Sequence, residues 1–261
     1  MFLHRPMRVS TLFIIMESTN SVPKLEAKRI LDPDTGAADT LYYWDGRLAP
    51  KVQINGILVD KLSGYTLIKK DLDNALSWIR TAEKLASESS EPTDSGHFHA
   101  KDREIFDLVK AYFVASLTFY GKCFTEAAGR HAQVSRDWIA EQEYRKLHDY
   151  IMTYRHNFAA HSGDECLELA RTFVLVHPNR KILIPYLPTM RVQPDIALTQ
   201  QGELGFGDLI EYVAKKVVEK YNKLANKIVS EFILPSGFEF WIRAANSNEP
   251  VKLEVPEKNK T

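Results

Sequence analysis

Cysteine is scarce in this chain of 261 residues: Cys123 and Cys166 are the two present. They stand far apart without the spacing of a metal site, a usage that fits a reducing cytoplasm. Charge of one sign is missing too, because 34 Lys and Arg balance 34 Asp and Glu. No global field draws such a chain toward nucleic acid, so any binding of that kind must rest on a local patch. No apolar run approaches the ~20 residues needed to cross a membrane. A phosphate-binding glycine loop, His-Glu-x-x-His, Cys-x-x-Cys and Gly-x-Ser-x-Gly are all absent. What remains is chemistry that side chains perform without a metal or cofactor.

The 44% hydrophobic content with 12 prolines is that of a folded globular protein rather than a disordered one. The length allows one large domain or two small ones. Residues 1–38 read as a mobile leader, with Pro23, Pro33 and Gly36 as breakers. The apolar stretch Leu12–Ile15 is shorter than the usual signal core of roughly 7–15 residues, and Met16 reads as a plausible true start. Residues 39–66 read as a short β-like extension. In it Thr40–Trp44 and Lys51–Val59 alternate as strands do, joined through Asp45-Gly46. The trio Tyr42, Tyr43 and Trp44 either packs this extension or offers a base-stacking platform.

Residues 67–234 carry the helical pattern. The first helix is expected over Lys70–Ser87, with Leu72, Leu76, Ile79, Ala82 and Ala86 on one face. A Ser/Glu/Pro/Gly loop with His97 and His99 follows, read as solvated because no further metal ligands stand nearby. Asp102 is a good N-cap for a second helix over Arg103–Tyr120. The stretch from Gly121 to Asp137 is broken and basic. Its Arg130 and His131 read as solvated loop groups. A third helix is expected over Ile139–Ser162. Leu167–Val176 and Lys181–Tyr186 read as a β-hairpin insertion at about 166–188, turning at His177–Arg180. The last helix, Gly207–Phe232, has a buried stripe from Ile210 to Ile228. Beside it run Lys216, Lys220, Lys223 and Lys227, either a solvated edge or a track for a phosphate backbone. Residues 235–261 read as a C-terminal tail.

The third helix carries the chemistry. Tyr144, Leu147, Ile151, Tyr154 and Phe158 form its buried stripe, with Arg155 and His161 on opposite flanks and Gly163 as the stop. His161 thus falls in the last turn, where the helix dipole favours an imidazolium. Asn157 lies one turn before His161, and His148 two turns before Arg155. Arg155-His156-Asn157-Phe158-Ala159-Ala160-His161 resembles the motif of the HEPN superfamily (higher eukaryotes and prokaryotes nucleotide-binding), in its toxin and abortive-infection branch. The resemblance implies a mainly α fold: a four- to five-helix up-and-down bundle, here with a β-hairpin insertion and an N-terminal extension. It further implies a metal-independent endoribonuclease. Arg155 and His161 would be catalytic, with Asn157, His156 and His148 in support and no metal or cofactor, and Arg130 and His131 would lie near the site in contact with RNA phosphate. The expected partners are an RNA substrate, a second copy of the chain and an antitoxin or defence-system protein. The alternative is a non-catalytic helical module that binds a partner protein or a nucleotide.

Overall fold

The computed structural model describes residues 24–31, 35–36, 38–89, 102–156, 169–175, 188–192, 204–247 and 249–254. Outside them lie the leader before Lys24, the loop with His97 and His99, Asn157, His161, Gly163, the strand expected at Lys181–Tyr186 and the last tail residues. Among the described residues, those up to Gln53 cluster with Trp241–Glu249, and those from Ile54 to Phe240 cluster with the segment from Pro250.

In the first cluster β1 (Leu25–Leu31), β2 (Ala38–Trp44) and β3 (Arg47–Leu48) form an antiparallel sheet in that order. Asp45 and Gly46 both take positive φ, 48° and 76°, which matches the twist of a two-residue hairpin. That turn was legible in the sequence. β1 was not: it falls within the stretch read as a leader and pairs in full register from Leu25↔Trp44 to Leu31↔Ala38. Tyr42 and Trp44 share one exposed face of β2.

The second cluster is mainly helical. After β4 (Ile54–Asn55) come α1 (Ile57–Ser89), α2 (Arg103–Cys123), α3 (Gln142–Tyr154) and α4 (Phe206–Ile228). β5 (Leu169–Thr172) and β6 (Thr189–Val192) follow α3. A π-type turn (Val229–Ile233), a single turn α5 (Leu234–Ser236) and β7 (Val251–Lys252) follow α4, and α6 (Phe238–Ser247) belongs to the first cluster from Trp241 onward. β7 pairs in parallel with β4. The stretch read as a tail thus contains both a helix and a strand.

Helix α1 is the centre of the core. Ile68, Leu72, Ala75, Ile79 and Ala82 form its buried face. They meet Val109, Phe113, Leu117 and Tyr120 of α2 and Leu209, Ile210, Val213 and Val217 of α4 within one apolar cluster. Each such large side chain contributes about 1.5–3 kcal/mol relative to exposure. α1 and α2 run antiparallel: Cys123 Sγ approaches the Ile68 carbonyl, while Phe119, one turn earlier in α2, meets Trp78, later in α1, edge-on.

One sequence expectation shifts. The first helix begins at Ile57 rather than Lys70, so the stretch read as a strand over Lys51–Val59 is strand only at Ile54–Asn55. Burial of Tyr65 and Ile68 outweighs the β-leaning local composition there. Within the first expected hairpin strand β5 pairs antiparallel with β6, from Leu169↔Val192 to Thr172↔Thr189, and the second expected strand, Lys181–Tyr186, lies outside the described residues. The expected Asp102 cap holds: its carboxylate accepts from the Glu104 amide at 2.8 Å. At the start of α4 Asp208 accepts from the Gly205 amide at 2.9 Å, a contact the sequence reading did not name.

Candidate functional site

Helix α3 is pinned at three levels before it reaches Arg155. Near its start Tyr144 stacks on Tyr212 of α4 with ring centroids 4.4 Å apart. In the middle His148 is buried against Phe124, and its Nδ1 shares a 2.8 Å hydrogen bond with the Tyr120 hydroxyl. At the end Tyr154 meets Phe113 edge-on at 5.7 Å. On the outer side Arg136 donates from two guanidinium nitrogens to the Asp149 carboxylate, at 2.7 and 2.6 Å. That contact holds the Asp149 carboxyl below its ordinary range.

At Arg155 and His156 the helix widens from α to π pitch. The Arg155 side chain is half-exposed and lies across Gly121 of α2. A Cβ on Gly121 would stand 2.1 Å from Arg155 Cδ and 2.3 Å from its Nε. Only glycine leaves that path open. Among the described residues the Arg155 side chain enters no ion pair or hydrogen bond, so its donor fork is available. His156 is exposed on the same turn. Asn157 and His161 lie outside the described residues, so Arg155 and His156 are the motif positions with described geometry.

Two expectations are corrected by burial. His148 is no solvent-facing partner of Arg155: it is 4% exposed, and burial brings its pKa down from 6.5 to about 4. The ring is neutral near pH 7 and serves as a packed hydrogen-bonding group. Arg130 is not a loop cation open to RNA phosphate. It is 5% exposed, donates to Asp71 Oδ2 at 3.0 Å and to the Lys122 carbonyl at 2.9 Å. The lysine edge of α4 is partly committed as well. Lys216 pairs with Glu219 at 3.3 Å, and Lys227 pairs with Glu231 at 3.7 Å. Lys220 sits over the Trp138 ring at 5.2 Å, and Lys223 is exposed. His131 is exposed, in a left-handed backbone conformation with φ 55°.

Sequence reasoning missed two features. One is the ion cluster around Asp71, which is 1% exposed and faces Arg130 and the Lys122 ammonium, the latter at 2.9 Å. Its signal was available: Asp71 lies on the face that carries Ile68, Leu72 and Ala75, where a carboxylate must have a buried partner. Cys123 packs beside this cluster. Burial and the Asp71 carboxylate push its thiol up to about 12, which makes it no nucleophile at neutral pH. The other is a cleft of about 410 Å³ between the start of α1 and the α2–α3 connection. Among the described residues no group of three His, Cys, Asp or Glu is placed to hold a metal ion. No described helix is long and apolar enough to cross a membrane. Comparison of the chain with protein-family models, with curated proteins and with solved structures gives no match.

Proposed function

We propose that this protein is a metal-independent endoribonuclease built on a HEPN-type helical bundle, with Arg155 and His161 of two copies forming a composite site across a homodimer. The observation that carries the reading is Arg155 itself. It stands half-exposed and without a partner among the described residues at the end of a firmly packed helix, where the pitch widens. π-type turns recur at functional sites, and a guanidinium fork suits a phosphate whose charge grows in the transition state.

In this mechanism the His161 imidazole takes the proton of the 2′-hydroxyl. The 2′-oxygen then attacks phosphorus, the bond to the 5′-oxygen breaks, and that oxygen leaves with a proton given by the imidazolium of His161 in the second copy. The products are a 2′,3′-cyclic phosphate and a 5′-hydroxyl, and DNA is spared because it lacks the nucleophile. Arg155 stabilises the phosphorane charge, and Asn157 or His156 orients the pair. A cytoplasmic toxin or defence effector, restrained by an antitoxin or partner protein, is the setting that accords with such an activity.

The test is cleavage of a mixed single-stranded RNA by purified protein in EDTA. Arg155→Ala and His161→Ala are each expected to lower the rate at least about 100-fold while the protein stays folded. Gly121→Ala probes the same site indirectly. Its methyl displaces the Arg155 side chain rather than backbone, so activity should fall by a similar factor with little loss of stability. Wild-type protein that never cuts, or variants that cut equally well, would overturn the reading.

The second reading is a non-catalytic binding module. It is favoured by the withdrawal of His148 and Arg130 into the interior, which leaves few described cations beside Arg155.

A further inference from the structure

We propose that the cleft between the start of α1 and the α2–α3 connection binds a nucleotide, with its base against Trp138 and Tyr65 and its phosphate at Lys61 and His131. The site is separate from Arg155 and stands or falls independently of the ribonuclease reading. Its walls are Lys61, Tyr65, Glu126, His131, Gln133 and Trp138, around about 410 Å³, a volume suited to a small ligand.

Four observations point to this ligand. First, Tyr65 lines the cleft, and its hydroxyl is not buried and makes no hydrogen bond among the described residues, so it is open to a group that enters. Second, Lys61, Glu126, His131 and Gln133 form no side-chain ion pair or hydrogen bond among the described residues. Lys69, Arg80, Lys122, Arg130 and Arg136, by contrast, are all paired with carboxylates. Third, Tyr65 and Trp138 meet edge to face with centroids 6.0 Å apart, which gives the cleft a fixed aromatic corner. Fourth, His131 holds a φ of 55°, a conformation uncommon for a residue other than glycine.

The chemistry is complementary to one ligand class. A flat heteroaromatic ring gains by stacking on an indole, typically about 1–3 kcal/mol per base. Glu126 and Gln133 supply acceptors for exocyclic amino groups and ribose hydroxyls, and Gln133 supplies donors for base carbonyls. Lys61 and His131 supply donors for the phosphate. Lys220 over the Trp138 ring adds positive charge beside the aromatic wall without lining the cleft. The nucleotide is either free in solution or one unit of a single-stranded RNA.

Isothermal titration of the full chain with AMP, GMP, CMP and UMP, and with a 2′-O-methyl RNA octamer that cannot be cleaved, separates these sources. Binding of a mononucleotide supports the proposal with a free ligand, and binding of the octamer alone supports it with a strand. Lys61→Glu and His131→Gly should each weaken binding at least about tenfold. Both positions are exposed, and glycine accepts the backbone conformation at 131. Ribose 5-phosphate, which lacks the base, should not compete. No binding up to about 1 mM, equal binding by both variants, or competition by ribose 5-phosphate at equal strength overturns the proposal.

Discussion

Asp71→Ala is expected to destabilise the helical unit by about 3–5 kcal/mol. The substitution leaves the Arg130 guanidinium, 6% exposed, without the carboxylate 3.0 Å away, and its way to water is closed. Lys122 loses the same partner, but its side chain is about half-exposed and re-solvates at little cost. The loss should depend weakly on salt, because the pair is screened by protein rather than by ions. Urea denaturation at pH 7 measures it, and a change below about 1 kcal/mol would sink the idea. The double substitution Asp71→Leu with Arg130→Met separates burial of charge from loss of packing. It should recover most of the stability, since Asp71 Oδ1 has no hydrogen bond among the described residues and the ion cluster is incompletely satisfied.

A second large effect comes with acid. His148 has a folded pKa of about 4 against an ordinary 6.5. Desolvation is the main cause, with the Asp149 carboxylate opposing it and the Arg136 guanidinium adding to it. Between these values the unfolded chain binds the proton and the folded chain does not. The stabilisation from a neutral His148 is therefore complete above about pH 6.5 and lost progressively as pH falls to about 4, by about 3 kcal/mol in all. Asp149 and Asp208, whose folded pKa values are depressed, add their own losses at the acid end. His148→Gln isolates the histidine: it keeps an acceptor near the Tyr120 hydroxyl but does not titrate. Denaturation midpoints across pH 4–7 should slope less in this variant than in wild type. Parallel slopes would mean that His148 is solvated in the folded state.

Much of the fold was legible because the apolar spacing was strong. α2 starts at Asp102 as its cap requires, and the buried residues of α4 are those its 3.6-residue period selects. The motif helix was legible too, down to the packed Ile151 and Tyr154. The candidate site was only half legible. Arg155 was found by its motif, but the glycine that makes room for it, Gly121, was read as mere punctuation. Cations were read as surface groups, since nothing local in Gly129-Arg130-His131 says that one of them turns inward. Lys61, Tyr65 and Trp138 went unremarked because they come from segments more than 70 residues apart, brought together at one cleft.

Periodicity, caps and turn residues, all local properties, determined the mainly α class, the helix bodies and the Asp45-Gly46 turn without reference to the rest of the chain. Tertiary structure alone decided the early start of α1, the burial of Asp71 with Arg130 and the neutrality of His148. These depend on desolvation and on which distant group lies opposite, and neither quantity exists until the helices pack.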